Sequence, residues 1–501
     1  MANFLTRTKS IDLATTHAAD KQLKPTLSWP HLIALGVGAI VGTGIYTLTG
    51  IAAALAGPGM IFSFLLCGVL VLTAALCYAE MATMVPASGS AFTYSYTALG
   101  ETVAWIIGWA LVLEYAVGAA AVAVGWSGHA NEFLHWAHTS PSLPFHTPLL
   151  PDNLTTGLFA SAPILDLVQG KAHVDMSKAF LDIPAMFIVL VVTGLLALGT
   201  RESATVNIVL VTIKLAALVM FVVIAAPYFD AHYLKPIAPM GWGATPHADG
   251  RNYGILGAAG LVFFAFYGFD AVSTAAEETK RPERDMTIGI VGSMFVCTII
   301  YIGVAITALG AMYYTGWADD RIPLVTILKH LNSPQAATWL TVAVLVAVPT
   351  VILVLLYGQS RIFFVMSRDG LLPEGFSKVN PKTKTPIALT LGTGVLVALV
   401  AGTVPLADIG VLANAGTLAA FIAVALSVIV LRLKQPDRKR VFKTPLVWVT
   451  APLCVVGCAY LFIVGLPHLT HMLFLVWGGI GLAFYLLYGA WRSKLARGEQ
   501  G

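Results

Sequence analysis

The stretch "GVGAIVGTGIYTLTG", residues 36–50, lies in the first long apolar segment of the chain and contains five glycines. Each glycine in a helix interior costs about 1 kcal/mol relative to alanine. Two interpretations fit this pattern. Either the small residues let membrane helices pack closely, or the helix unwinds at Gly42, Thr43 and Gly44, beside a cavity where irregular backbone is tolerated at mid-membrane.

The composition of the whole chain is that of a membrane protein. Of its 501 residues, 57% are hydrophobic and 11% are charged, whereas soluble domains carry roughly 25% charged residues. Apolar stretches of about 20 residues, long enough to cross a bilayer of about 30 Å, recur from end to end. They predict an all-α membrane protein with twelve transmembrane helices, at residues 31–55, 60–84, 101–128, 183–199, 206–228, 253–276, 287–313, 336–360, 387–403, 407–431, 446–466 and 470–491.

The distribution of basic residues predicts the orientation. Of the 29 Lys and Arg residues, 22 fall on the side of the termini and 6 on the opposite side. Since cytoplasmic loops carry the excess of Lys and Arg, both termini are expected in the cytoplasm and the protein in the cell membrane. Residues 1–30 and 492–501 are then cytoplasmic tails, and residues from about 129 to 182 form an external loop.

Lys214, the one basic residue left over, lies near the middle of the fifth predicted span. A cation at that depth costs about 2.5–3.5 kcal/mol on insertion scales, and such residues are usually functional. The alternative is a lysine that reaches the membrane surface, which the apolar residues on both sides disfavour. We therefore expect a functional role for Lys214.

The sixth apolar segment, "GILGAAGLVFFAFYGFDAVSTAAEET", contains a second candidate break, at residues 267–269. It would expose the carbonyls of residues 264–266, which suit an ammonium group. The break in the first span would leave the N–H groups of about residues 44–46 free for a carboxylate. Interrupted helices at corresponding positions of two repeats indicate a transporter binding site, so the pattern predicts a zwitterionic amino acid as ligand.

Two acidic residues also lie within predicted spans: Asp270 follows the second break, and Glu114 is in the third span. Buried carboxylates usually face the interior of the helix bundle. Each could contact a cationic substrate side chain, pair with Lys214 or take up a proton. The structural alternatives are capping of the second half-helix by Asp270 and an ordinary hydrogen bond for Glu114.

Three further acidic residues, Glu80, Glu277 and Glu278, lie near span ends. We expect them to make cytoplasmic gate or loop contacts. Arg361 and Arg368 are candidate partners, with a simple positive-inside role as the alternative.

Four stretches together resemble a known superfamily. They are "GVGAIVGTGIY" in the first span, "PASGSAFTYSYTALGE" after the second, "FAFYGFDAVSTAAEE" in the sixth and "GQSRIFFVMSRDGLLP" after the eighth. They are similar to motifs of the amino acid–polyamine–organocation superfamily, and within it to the bacterial relatives of cationic amino acid transporters. The resemblance covers nearly the whole chain. It implies a leucine-transporter-type fold of two inverted five-helix repeats, residues 31–228 and 253–431, with discontinuous helices 1 and 6 and two extra helices at 446–491.

The resemblance also implies roles for single residues. Lys214 matches a fifth-helix lysine that stands where sodium-coupled relatives bind a cation, which implies that the proton is the coupling ion. Phe264 matches an aromatic residue near the substrate amine and could cover the site as a lid. With the two carboxylates, the predicted substrate-binding residues are Gly42, Thr43, Gly44, Ile45, Phe264, Ala265, Phe266, Tyr267, Asp270 and Glu114.

The leading prediction is a secondary active transporter that takes up amino acids with protons by alternating access. An amino acid exchanger or polyamine carrier on the same fold is one alternative, and an amino acid-gated channel or sensor is another. The chain has no motif of a nucleotide-driven pump or a hydrolase, so no enzyme activity, cofactor or metal is expected. The expected partners are the amino acid and the lipid bilayer, with no nucleic acid. A small membrane subunit and the choice between cationic and neutral substrates stay open.

Overall fold

The computed structural model describes residues 7–11, 27–87, 89–140, 149–161, 175–199, 204–276, 279–377, 380 and 386–498. Parts of both predicted tails (1–6, 12–26 and 499–501) and of the predicted external loop (141–148 and 162–174) lie outside these residues. The described chain is almost entirely helical, and its strands β1 (Thr245–Pro246) and β2 (Asn252–Tyr253) form one short antiparallel hairpin.

The helices run in chain order as follows. In the first part of the chain they are α1 (Trp29–Ile40), α2 (Thr43–Tyr46), α3 (Leu48–Ala56), α4 (Met60–Met84), α5 (Ser90–Ala98), α6 (Glu101–Thr139), α7 (Ile183–Ala197) and α8 (Ala204–Ala225). They continue with α9 (Ile255–Val262), α10 (Asp270–Thr274), α11 (Pro282–Ala311), α12 (Pro323–His330), α13 (Pro334–Ala347), α14 (Pro349–Arg368), α15 (Ile387–Thr403), α16 (Leu406–Lys434), α17 (Val447–Tyr460), α18 (His468–Phe484) and α19 (Ala490–Arg492). Short 3-10 turns include Phe263–Phe266, directly after α9.

These helices have the length and composition of membrane spans. Among the described residues, nine helical segments are long and apolar enough to cross a bilayer, and three shorter apolar helices, α1, α7 and α15, accompany them. The chain is therefore a multi-pass membrane protein, as the composition predicts.

Some helices begin and end where the sequence predicts, and others do not. Helix α4 has the predicted bounds, Met60–Met84. Helix α6 continues to Thr139, beyond the predicted end at residue 128. The extension begins with His129, which is fully buried with its ring 6.3 Å from that of Tyr46. Residues 129–139, which the sequence places in the external loop, therefore continue helix α6.

Two groups of helices form the core of the bundle. The long helix α6 packs against α14 and α16, and α11 packs against α1 and α4. At the α1–α11 contact, a Cβ atom on Gly36 would lie 2.4 Å from the Ser293 hydroxyl oxygen. Close packing through small residues therefore explains Gly36.

Glu80 of α4 joins three parts of the bundle. Its carboxylate is buried and accepts hydrogen bonds from Arg432 Nε and Nη2, at 2.8 and 2.9 Å, and from the Thr444 amide at 2.8 Å. Arg440 Nε lies 3.3 Å from the same carboxylate. One buried anion thus ties α4 to the end of α16 and to the loop that follows it.

Glu80 does contact a loop, as expected, but its basic partners are not the candidates Arg361 and Arg368. Its partners come from the chain around residues 432–444, whereas Arg361 donates to the carbonyl of Thr274 at 3.1 Å. Glu277 and Glu278 lie outside the described residues. A sequence gives no sign of which of several basic loops reaches a given carboxylate, because that depends on helix packing.

We expect Glu80→Ala to destabilise the protein by about 3–5 kcal/mol, because it leaves the buried Arg440 and the half-buried Arg432 without their anion. Chemical or thermal unfolding of the purified protein measures this loss. Glu283→Ala, at an exposed position in the first turn of α11, is the matched control and should cost less than about 1 kcal/mol. Equal stability of the two variants would contradict the structural role of Glu80.

Candidate functional site

The first interruption lies between α1 and α2. Val41 and Gly42 are non-helical, and the chain is helical again from Thr43. The predicted break is present but begins earlier, since Thr43 and Gly44 already form the first turn of α2. The first N–H groups of a helix have no acceptor in a preceding turn. The donors here are therefore those of Thr43, Gly44 and Ile45, one residue earlier than expected.

The second interruption follows α9. Residues 267–269 separate the 3-10 turn Phe263–Phe266 from α10. Gly268 has φ = 105°, in the left-handed region that side chains with a Cβ atom rarely adopt. The break in the sixth span is therefore confirmed at its predicted position.

The carbonyl groups at this break are not equivalent. The Phe264 carbonyl accepts a hydrogen bond from the Tyr267 amide at 3.2 Å, because the 3-10 turn closes on itself. The expectation that this carbonyl is exposed is therefore not met. Within the described residues, the carbonyls of Ala265 and Phe266 accept no backbone hydrogen bond, so they are the acceptors that the break offers.

The two interruptions pack directly against each other. A Cβ atom on Gly44 would lie 2.5 Å from the Cα atom of Ala265, so only glycine allows α2 this close to the 3-10 turn. On the other side of the contact, a Cβ atom on Gly268 would lie 3.0 Å from the carbonyl oxygen of Ala39. The free donors of one broken helix and the free acceptors of the other are thereby brought to the same place in the bundle.

Lys214 of α8 is fully buried beside the end of α1. Its Nζ atom donates to the Gly38 carbonyl at 2.8 Å and to the Thr350 hydroxyl at 2.9 Å. The Tyr46 hydroxyl donates to the Lys214 carbonyl at 2.8 Å. The ammonium group therefore meets the negative end of α1, and it joins α1 to α8 and to α14.

Two residues of this region are absent from the sequence-based prediction. Thr350 binds the Lys214 ammonium, and the Tyr301 hydroxyl donates to the Ile40 carbonyl at 2.9 Å. A broken membrane helix leaves carbonyls that need donors from neighbouring helices. That need was foreseeable, but one Thr and one Tyr among many in apolar segments carry no signal of which helix supplies them.

The two carboxylates lie on adjoining elements. Asp270 begins α10, and its Oδ2 atom accepts a hydrogen bond from the Tyr115 hydroxyl at 2.5 Å. Glu114 is the neighbour of Tyr115 on α6, and its backbone carbonyl accepts a bond from the Tyr267 hydroxyl at 3.4 Å. Asp270 lies in the first turn of α10, where the capping alternative requires its charge. The cap position itself is occupied by Phe269, whose side chain makes no capping hydrogen bond.

Several buried polar atoms around the interruptions have no hydrogen-bond partner among the residues that the structure describes. Buried polar atoms without a partner are uncommon in native proteins and need an explanation. Here they are Thr43 Oγ1, Thr47 Oγ1, both carboxylate oxygens of Glu114, Asp270 Oδ1 and Asn414 Oδ1. Their number favours a site that binds a polar ligand or water.

The predicted site residues thus fall into two groups. Residues 42–45 and 264–267 meet at the crossing of the interruptions. Asp270 directly follows the second interruption and is hydrogen-bonded to Tyr115, whereas Tyr267 contacts the backbone carbonyl of Glu114 and not its carboxylate. Lys214 instead lies at the end of α1. Glu114 does not hydrogen-bond to Lys214, since neither of its carboxylate oxygens has a partner.

Known proteins of similar sequence are permeases and transporters. The sequence profile of a family described as amino acid permease matches residues 27–484. The chain is 42% identical over 490 residues to the branched-chain amino acid permease BcaP of Bacillus subtilis, which covers 98% of each protein. It is 37% identical over 492 residues to the methylthioribose transporter of the same organism, covering 98% of the chain and 99% of that protein.

A plant relative is more distant. The chain is 34% identical over 437 residues to the vacuolar cationic amino acid transporter 2 of Arabidopsis thaliana, covering 87% of the chain and 64% of that protein.

We expect Gly44→Ala to push the two interruptions apart, because the new methyl group would overlap the backbone of Ala265. Overpacking of this kind costs about 1–3 kcal/mol, which unfolding of the purified protein measures. Gly303→Ala in α11 is the matched control, since a Cβ atom there meets nothing within 4 Å; alanine should leave stability unchanged or raise it slightly. Full stability of Gly44→Ala would contradict the close contact.

Proposed function

Because the chain belongs to the amino acid permease family, we propose that it carries an α-amino acid across the cell membrane together with a proton, by alternating access. The relatives are permeases and transporters, so the protein is a transporter and not an enzyme. The coupling ion, the side chain of the substrate and the mechanism are the parts that we propose.

The crossing of the two interrupted helices is the observation that supports amino acid binding most strongly. The amides of Thr43, Gly44 and Ile45 form the positive end of a helix and suit a carboxylate. The carbonyls of Ala265 and Phe266 suit an ammonium group. An α-amino acid carries both charged groups on one Cα atom, so it can engage both sets of groups at once.

For the substrate side chain, a branched apolar group is the first candidate. Two relatives named branched-chain amino acid permease, at 42% and 29% identity, cover nearly the whole chain. The rings of Phe264 and Tyr267 stack at 5.6 Å beside the interruption and could pack on such a side chain. The free carboxylate oxygens of Glu114 favour a cationic side chain as the second candidate.

Lys214 is the proposed coupling residue. As an ammonium group it binds the carbonyl end of α1 through Gly38 and reaches Thr350 on α14. Hydrogen bonds to charged groups are worth about 1.5–3 kcal/mol, so loss of the proton would weaken the attachment of α1 to its neighbours. Release of a proton from Lys214 would thus favour movement of α1 and opening of the site.

The wider architecture that we propose follows from the same features. Twelve spans in two inverted repeats of five, with two further helices, would put the interrupted first and sixth spans at corresponding positions. The excess of Lys and Arg on the side of the termini supports cytoplasmic termini.

We expect purified protein in lipid vesicles to accumulate labelled leucine when the outside is made more acidic than the inside. Lys214→Ala should abolish the accumulation, whereas Lys178→Ala, at a position 80% exposed, should keep it. If Lys214→Ala fails to fold, Lys214→Met preserves the volume of the side chain. A panel with lysine, a polyamine and methylthioribose defines the substrate class.

Other outcomes separate the alternatives. Uptake that needs an internal amino acid and ignores the pH gradient would identify an exchanger. Current or ligand response without accumulation would identify a channel or sensor. Unchanged accumulation by a folded Lys214 variant would eliminate this lysine as the coupling residue.

A further inference from the structure

The segment between α16 and α17 is held as a compact loop. Arg432 at its start and Thr444 near its end bind the same Glu80 carboxylate. Inside the loop, the Arg440 guanidinium donates to four backbone carbonyls at 2.9–3.1 Å. Because both ends are fixed at one carboxylate, the intervening residues are confined to a small area beside α4 and α16. We call residues 432–446, which comprise the last three residues of α16 and the segment that leads to α17, the basic loop.

Within the basic loop, the cations divide into two groups. Arg440 faces inward, and Arg432 is partly buried in its ion pair with Glu80. Lys434, Lys439 and Lys443 are exposed, Arg438 is half-buried, and one acidic residue, Asp437, is exposed among them. Glu80 is therefore already neutralised from within, and the three ammonium groups leave an outward-facing positive charge that the packing of the loop does not use.

Large apolar side chains alternate with these lysines at the surface. Leu433 is 66% exposed and Val441 48% exposed, and Trp448 in the first turn of α17 is 58% exposed. Apolar and aromatic side chains interleaved with lysines are typical of segments at the boundary between headgroups and acyl chains.

Leu446 adds a second, independent observation. It has φ = 44°, a left-handed conformation that is uncommon for residues other than glycine, and its side chain is 79% exposed. In water, the exposed leucine side chain would add an unfavourable free energy to that of the strained backbone. Hydrocarbon outside the loop would remove the cost of the exposed side chain, since burial of a leucine side chain in an apolar environment is favourable.

We propose that the basic loop binds the headgroup of an anionic phospholipid. The ammonium groups of Lys434, Lys439 and Lys443 contact the lipid phosphate and its neighbouring headgroups. Leu433, Leu446 and the other apolar side chains enter the acyl region beneath. The bound lipid thereby holds the start of α17 against α16 and α4 through the same loop that Glu80 anchors. This site is separate from the crossing of the interrupted helices and does not depend on which substrate is carried.

The experiment titrates phosphatidylglycerol into the purified full-length protein in detergent and counts bound lipids by native mass spectrometry. The wild type should bind it with measurable affinity. The triple variant Lys434→Gln, Lys439→Gln and Lys443→Gln should bind it about a hundredfold more weakly, since each lysine near a lipid surface contributes roughly a fivefold factor in affinity. Phosphatidylcholine is titrated in parallel as a zwitterionic lipid, and inorganic phosphate as a free anion.

Two variants keep the test decisive. Lys280→Gln, Arg281→Gln and Arg284→Gln together remove equal charge at another exposed stretch and should leave phosphatidylglycerol binding unchanged. Leu446→Gly accepts the left-handed backbone without strain, so it should fold yet bind the lipid more weakly.

Three results would overturn the proposal. The first is equal phosphatidylglycerol binding by the wild type and the lysine triple variant. The second is no preference of the wild type over phosphatidylcholine. The third is binding of inorganic phosphate as tight as that of phosphatidylglycerol. This result would identify a phosphate site and not a lipid site.

Discussion

Inside a bilayer every backbone N–H and C=O group needs a partner from the protein, because hydrocarbon supplies none. This constraint governs the centre of the molecule, where two helices stop and start again. The structure supplies partners to most of the exposed ends: Lys214 to Gly38, Tyr301 to Ile40, and the Tyr267 amide to Phe264. Within the described part of the chain, a cluster of amide donors on α2 and of carbonyl acceptors after α9 stays unpaired. Those are the groups that a zwitterion can satisfy.

The same rule explains how charged side chains are placed. Glu80 is surrounded by two arginines and an amide at one end of α4. Asp182, just before α7, accepts bonds from the Ser127 hydroxyl at 2.5 Å and the Ala185 amide at 3.1 Å, with Arg321 at 3.7 Å. Glu114 is the contrast, because its carboxyl group is buried and neither of its oxygens has a hydrogen-bond partner of good geometry among the described residues. A carboxyl group left in this state beside the interrupted helices is more easily explained by function than by stability.

Much of this arrangement could be predicted from the residues. Long apolar segments predict a multi-pass helical membrane protein and the approximate positions of its apolar helices. The glycines at 42, 44 and 268 mark the two interruptions because glycine is costly in an uninterrupted helix. Lys214 is conspicuous because a lone cation in an apolar segment is rare. Local composition was sufficient for each of these predictions.

The remainder depends on contacts between distant parts of the chain. The first break begins at Val41 rather than at Gly42, and α6 continues to Thr139, because packing decides where a helix ends. The roles of Thr350 and Tyr301, and the choice of Arg432 and Arg440 as partners of Glu80, follow from which helices are neighbours. Neither periodicity nor residue type contains that information.

An experimental structure of the protein with leucine bound is the most direct test of the proposed binding mode. We predict that the leucine carboxylate lies within hydrogen-bond distance of the amides of Thr43, Gly44 and Ile45, and its ammonium group within that distance of the carbonyls of Ala265 or Phe266. Leucine bound away from both interruptions, or helices that run unbroken through Gly42 and Gly268, would contradict it.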